Sequence, residues 1–354
     1  MSPRGHDTAS GHPRRATGGI VKRSRRDFLS TAGATCAAAA MAAQPARAGD
    51  FRSISADVIV DPFTLLPGDV ALKIVAPSPK RRKPFVASLN PDRMLFAASA
   101  IKSYVLCEAL RQADSPDVVD RLERRELALD STVWSYGSPT FIQGDIEGIV
   151  SERTAMEAMI TRSDNTATDI MFKTVGADNV RAFIASAGLV NTLVPDSTRA
   201  FTGYLFGADD YKNLTWERLQ DVVKQQQVHP FLNSVQTLAS SADDFVSYYS
   251  RALQGAFFTH AATLNEFRRI LTLCDFIYVI PVPLGVSAYA KSGNADTPGF
   301  HVRSFAGGLY FDDQWVYFAF MLNWYSESEK DPQTVDRFFS AINAALALLK
   351  HRLG

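Results

Sequence analysis

The sequence predicts an α+β fold in which an antiparallel sheet, flanked by terminal helices, carries an inserted all-helical lobe. Three observations predict it. Short apolar stretches broken by Pro and Gly precede residue 96, apolar periods of about 3.6 residues follow one another across 97–269, and three β-rich stretches with one long amphipathic segment close the chain. Strands at both ends with helices between them do not form a run of βαβ units, so the first and last strands are expected to share one sheet. On that reading residues 49–96 and 270–354 form the sheet lobe, 97–269 the helical lobe, and a cleft lies between them.

The first strands are expected at 57–60, 70–76 and 85–89, punctuated by Pro62, by Pro67-Gly68 and by the Pro-bearing stretch 77–84. Ile101, Val105 and Leu110 then mark a helix. Ser151 caps a second one carrying Ala155, Met156, Met159 and Ile160, and Val180, Phe183 and Ile184 belong to another that closes at Gly188. Ser241 and Asp244 have the spacing of a capping box, opening a helix that carries Phe245, Tyr248 and Tyr249 and ends at Gly255. Residues 196–240 hold one expected helix at 214–226; the rest is a long loop, and loops of that size are usually functional or mobile. Strands return at 286–291, 302–311 and 315–322, the last two joined by the turn Asp312-Asp313-Gln314. Asp331-Pro332, a cap followed by proline at the first helical position, opens a closing helix with Val335, Phe338, Ile342, Leu346 and Leu349 on one face.

With 354 residues, 46% hydrophobic and 21% charged, the composition is that of a globular protein with a substantial core. Its 37 basic and 37 acidic residues are unevenly placed. Eight basic and two acidic ones lie in residues 1–48, so the remainder holds 29 against 35, a net charge of −6 that gives nucleic acid no footprint. The basic front end, with Ser24-Arg25-Arg26-Asp27-Phe28-Leu29, an alanine-rich run at 31–43 and then Ala46-Arg47-Ala48, looks like a twin-arginine export signal cut after Ala48. It implies handling by the twin-arginine export machinery and a periplasmic or secreted protein. The apolar run falls short of the roughly 20 residues that span a bilayer, and no membrane span is expected in the mature chain. Cys36 would leave with the signal; Cys107 and Cys274 remain in a compartment that permits a bridge without the sequence placing one. Four mature histidines without ligand spacing point to no metal and no cofactor.

Three short motifs carry the chemistry. Ser99-Ala100-Ile101-Lys102 puts a hydroxyl and an amine three residues apart at a helix start, on one face. An alcohol needs an adjacent base to act as a nucleophile, and a lysine desolvated in a cleft loses its proton more easily; otherwise the pair is a cap and a surface lysine. Ser163-Asp164-Asn165, expected by chance in about one chain in twenty, either caps a helix or offers Ser163 to pass a proton to a leaving nitrogen and Asn165 to hold a substrate carbonyl. Lys291-Ser292-Gly293 ends a strand, where a cation and hydroxyl meet a carboxylate and glycine permits close approach; the alternative is an ordinary edge-strand lysine.

In this order the motifs resemble those of the penicillin-recognising serine enzymes, and most of all class A β-lactamases, whose set is Ser-x-x-Lys, Ser-Asp-Asn and Lys-Thr-Gly. The resemblance takes in residues 96–110, 155–188 and the closing strands and helix. It implies a β-lactamase/transpeptidase-like fold and a serine hydrolase for a small β-lactam or D-alanyl peptide. By that resemblance Ser99 is acylated, Lys102 is its proton partner and Ser163 relays a proton to the departing nitrogen. Asn165 binds the substrate's side-chain amide, and Lys291 and Ser292, beside Gly293, hold its carboxylate. The oxyanion sits between the N–H groups of Ser99 and Asn294. Arg303 resembles the second carboxylate cation, with more residues between it and Lys291 than usual, and Trp134 and Tyr136 form either an aromatic wall or core. The glutamate that activates the deacylating water has no match in 192–199; Glu217, after Trp216, and Asp196 are the carboxylates at hand. Three readings follow: a β-lactam hydrolase, a D-alanyl-D-alanine peptidase, transpeptidase or esterase, and a penicillin-binding receptor that stays acylated.

Overall fold

A computed structural model describes residues 55–77, 84–278, 282–297 and 299–353. The export signal expected within residues 1–48, with Cys36, lies outside them. Among the described residues no helix is long and apolar enough to cross a membrane.

Five strands form one sheet in the order β2-β1-β9-β8-β7, every neighbouring pair antiparallel: β1 Asp69–Ala76, β2 Phe85–Leu89, β7 Ser287–Thr297, β8 Phe300–Phe311 and β9 Gln314–Trp324. Strands from the two ends of the chain thus do share a sheet. Its central strand reads apolar at almost every position because it is buried on both faces. Val316, Phe318, Phe320 and Leu322 of β9 pack with one core, and Tyr317, Ala319 and Met321 with the other. The β8–β9 turn places Asp312 and Asp313 at φ 48° and 61°, the geometry of a type I′ hairpin that keeps the strands' right-handed twist.

The first core is closed by two terminal helices. The long one, Pro332–Leu353, buries Phe338, Ile342, Leu346 and Leu349, and the spacing of those residues accounts for its place on the sheet. The other corrects the sequence reading: residues 57–60, expected as a strand from their β-branched run, lie inside helix α1, Ala56–Thr64. Ile59 and Phe63, four residues apart, are its buried face, and Phe63 stacks on Phe320 at 5.4 Å between ring centroids. Burial of that stripe outweighs a local β preference and the Pro62 inside the helix.

The helical block between the sheet segments begins with α2, Lys102–Gln112, and α3, Val118–Arg124. Just before this block the short strand β3, Leu95–Phe96, pairs with β6, Ala239–Ser240; after a small hairpin (β4 Glu126–Leu129, β5 Gly148–Ser151) come α4, Glu152–Thr161, α5, Asn165–Val175, and α6, Ala177–Ser186. Ser151 caps α4 by accepting from Thr154 N–H at 3.1 Å, and Ser241 caps the later α9, Ala242–Ala252, by accepting from Asp244 N–H at 3.1 Å.

The 196–240 segment is more ordered than its sequence suggested. It holds α7, Thr198–Leu205, a short turn at Tyr211–Asn213, and α8, Trp216–Val222, over a satellite core of Ala208, Leu214, Leu219 and Val222. The α7 helix has a serine cap, Ser197 accepting from Ala200 N–H at 2.9 Å, but Phe201 and Gly203 inside it mask the period.

Candidate active site

Ser99 lies not on the long helix but in the 3₁₀ turn before it, Ala98–Ile101. In a 3₁₀ turn side chains three apart eclipse one another, so Lys102, the first residue of α2, is brought over Ser99 more directly than an α-turn would bring it. Ala98 sits at φ 48°, a left-handed backbone that costs a non-glycine residue about 1 kcal/mol or more. Such strain persists only where neighbours hold it. Asn323 brackets Phe96 with two hydrogen bonds of 2.9 Å, accepting from its N–H and donating to its carbonyl. Ser304 Oγ donates to Ala97 O at 2.6 Å, and Ala97 N–H donates to Leu238 O at 2.7 Å.

The third motif closes against this turn. A Cβ on Gly293 would stand 2.2 Å from Ala97 O and 2.8 Å from Ala100 N, so glycine alone lets the edge strand β7 reach the backbone around Ser99. Gly293→Val is expected to destabilise the protein by about 1–3 kcal/mol in denaturant unfolding, because the clashing atoms are backbone, and to abolish acylation by displacing the turn.

Alternation along β7 sends Lys291 and Gly293 toward the helical block, and Ser292, Asn294 and Asp296 toward the opposite face, where Asn294 pairs with Arg303. The Lys291 side chain is buried, its Nζ donating to Ser292 O at 2.9 Å, and Cys274 Sγ lies 3.9 Å from Ser292 Oγ. Cys107 and Cys274 are both buried free thiols.

Ser163-Asp164-Asn165 divides its labour. Asp164 is the cap of α5: it accepts from Ala167 N–H at 2.8 Å and, with its other oxygen, from Thr140 and Phe141 N–H at 2.9 Å each. Ser163, at φ 56°, and Asn165 turn to Lys102 instead. Lys102 Nζ lies 2.5 Å from Ser163 O, 2.7 Å from Asn165 Oδ1 and 3.3 Å from Ser163 Oγ. Asn165 Nδ2 donates to Tyr136 O at 2.6 Å, which fixes the amide from both ends.

Lys102 is fully buried, and its pKa is held well below an ordinary lysine's 10.5 first by that burial and then by the charge of Lys291, with Asp164 and Asp169 opposing more weakly. Burial also lowers Lys291, against Cys274 and Asp275. A neutral Lys102 has two N–H bonds, matched by Ser163 O and Asn165 Oδ1, and one lone pair left to accept a proton.

The carboxylates expected in the loop are placed differently from each other. Asp196 accepts from Arg181 at 2.5 Å, Gln236 at 2.8 Å and Lys212 at 3.2 Å; burial would raise its pKa, but these partners win and lower it. Glu217 is exposed in the first turn of α8. Its neighbour Trp216 packs on Tyr136 at 5.2 Å between centroids, whereas Trp134 is buried in the core. The remaining glutamate between Asn165 and Lys291, Glu266, is bound by Arg153 at 2.7 Å and Arg269 at 2.8 Å. Arg303 donates to both oxygens of Asp296.

Asp169 and Arg199, unremarked in the sequence, anchor the loop. Asp169 accepts from Ser135 Oγ at 2.5 Å, from Thr198 N–H at 2.6 Å and Oγ1 at 2.8 Å, and from Arg199 N–H at 3.1 Å. Arg199 donates to the carbonyls of Ser131, Trp134 and Leu214. Phe201 is thereby stacked at 5.6 Å on Phe96, three residues before Ser99. Asp169→Ala orphans four buried donors and is expected to cost about 3 kcal/mol or more in urea unfolding. No three His, Cys, Asp or Glu side chains group as metal ligands among the described residues.

Residues 74–345 match the family model described as the Beta-lactamase enzyme family. No curated protein matches. Among solved structures, the TLA-3 extended-spectrum β-lactamase is similar at 14% identity, covering 83% of this chain and 97% of its own, with a TM-score of 0.62. A class A β-lactamase representative from Bacteroides cellulosilyticus is similar at 17% identity over 83% of this chain and 96% of that one, with a TM-score of 0.61. PBP-A is similar at 16% identity over 87% and 98%, also with 0.61. At these identities the likeness is one of fold.

Proposed function

This chain belongs to the β-lactamase enzyme family, and from that premise we propose that it is a class A-like enzyme that opens the β-lactam amide by acylating Ser99. The observation that carries the reading is the place of Lys102: buried, one 3₁₀ turn along the chain from Ser99, and within hydrogen-bond reach of Ser163 and Asn165, a burial that lowers its pKa. Its amine takes the Ser99 proton as Oγ attacks the lactam carbonyl. The oxyanion develops toward the N–H groups of Ser99 and Asn294. The C–N bond then breaks, and the proton passes from Lys102 through Ser163 Oγ, 3.3 Å away, to the leaving nitrogen. Lys291 meets the substrate carboxylate from one face of the edge strand β7 and Ser292 from around its free edge, and Asn165 meets the side-chain amide. Export by the twin-arginine route, read from Ser24–Leu29 and Ala46–Ala48, would bring the enzyme to such substrates outside the cytoplasm.

Release is the slower half-reaction. Asp196 is committed to three partners and Glu266 to two arginines, which leaves Glu217 as the glutamate to activate water, from an exposed position. The same observation favours, as a second reading, a D-alanyl peptidase or an acylated receptor that needs no such base. Mixing the protein with a chromogenic cephalosporin separates them. We expect a burst of one equivalent followed by turnover at least about tenfold slower; a burst with no turnover supports the receptor, and cleavage of a D-alanyl-D-alanine peptide without a burst supports the peptidase. Asp196→Asn should leave the acyl-enzyme lifetime within about twofold, and Glu217→Gln should lengthen it tenfold or more.

A further inference from the structure

We infer that the cavity behind residues 196–215 is a binding site for a small oxyanion, a phosphate group or a short dicarboxylate, held by Arg199, Lys173 and Lys212. The site stands apart from the acyl-transfer reading, because no residue of the three motifs lines this cavity. Helical spacing makes one of its walls: Asp169 and Lys173, four residues apart on α5, share a face. The chain returns opposite them through Asp196 and Arg199 to Lys212, and together these segments enclose about 450 Å³, a volume in the range of small-ligand sites.

Arg199 is the group that calls for a partner. It is only 7% exposed, yet among the described residues no carboxylate pairs with its guanidinium. Nη1 donates to Ser131 O at 3.0 Å and to Trp134 O at 2.7 Å, and Nη2 donates to Leu214 O, all of them carbonyls that carry partial charge alone. Those bonds use three of the five N–H groups of a guanidinium, which leaves donors for an oxyanion. Burial pulls the Arg199 pKa below an ordinary arginine's, against the more distant charges of Asp169, Glu217 and Asp130. A desolvated cation without a paired carboxylate is costly, and an anion brought to it offsets that cost.

The other charged groups of the wall permit such an anion. Asp169 already accepts from Ser135, from Thr198 twice and from Arg199 N–H, and Asp196 from Arg181, Gln236 and Lys212. Counting both carboxylates against Arg199, Lys173 and Lys212, the wall has three cations and two anions, a net charge of +1. The two lysines stand at the mouth with side chains 56% and 59% exposed. Lys173 Nζ donates to Thr132 Oγ1 at 2.7 Å and lies 3.6 Å from Asp130, and Lys212 Nζ lies 3.2 Å from Asp196. Exposed pairs of this kind contribute little, so both ammonium groups can turn to a ligand at small cost. An anion held by all three cations ties α5 to the segment that Asp169 and Arg199 already anchor.

Phosphate and succinate are each titrated into the wild-type protein by calorimetry at constant ionic strength, and amide hydrogen exchange is followed with and without the tighter of the two. We expect saturable one-to-one binding of at least one of them at low millimolar concentration, weakened about tenfold by Lys212→Met and by Lys173→Met. Slower exchange should be confined to residues 196–215 and α5. Both lysines are exposed, so these variants should fold as the parent does. Tighter phosphate assigns the site to a phosphate group, tighter succinate to a dicarboxylate, and equal affinities to the oxyanion chemistry they share. Saturable binding of neither probe, an affinity unchanged in either lysine variant, or protection spread over the whole chain, as a general salt effect produces, overturns the inference.

Discussion

Ser99→Ala should yield no covalent adduct with a β-lactam at any incubation time, and turnover of a chromogenic cephalosporin should fall by roughly 10⁶-fold. The size follows from the step removed: without the Oγ there is no acyl-enzyme, and the oxyanion donors act only on direct attack by water. Ser99 is half-buried, and the contacts that hold its turn belong to Phe96, Ala97 and Gly293, so the variant should fold normally. Equilibrium unfolding within about 0.5 kcal/mol of the parent checks that the loss is chemical.

The second large effect is at Lys102. Lys102→Met keeps the volume of the buried stem and deletes the base, and acylation should slow by about 10² to 10⁴-fold with Ser99 intact. The pH dependence of the parent is more diagnostic. Because burial and Lys291 lower the Lys102 pKa, the neutral amine prevails at a pH where an ordinary lysine is still charged. The acylation rate should therefore rise with pH and level off below 10.5, and Lys102→Met should lose that limb. The linkage has the same origin: between the lowered pKa and 10.5 the unfolded chain binds more protons than the folded one, so this group makes folding more favourable as pH rises through that window. Stopped-flow acylation and denaturant unfolding across pH test the two halves.

How far the sequence foretold this arrangement depended on whether a residue's role is local. Ser151, Ser241 and the Asp331-Pro332 start are caps, decided within four residues, and the structure has helices where those signals stand. The doubly buried β9 was legible as an apolar run. Residues 57–60 were not, since their helix exists for the contact of Ile59 and Phe63 with the sheet, which no local preference encodes. The same holds for the residues that shape the site. Asn323 and Ser304 serve Phe96 and Ala97 from more than two hundred positions away, and in the sequence each is only one of a few polar residues inside a mostly apolar strand. Asp169 and Arg199 look like ordinary helix residues until their partners are seen. Asp296 became visible only through strand register, because its neighbour in space, Arg303, is seven residues away across a hairpin.

The most direct test maps the acylated residue. Wild-type protein is incubated with benzylpenicillin, its intact mass followed in time, and the digest sequenced. The account predicts a single acyl group per chain, carried on the peptide that contains Ser99. An unmodified chain, or an acyl group on Lys102, Lys291 or any other side chain with Ser99 unmodified, would contradict it.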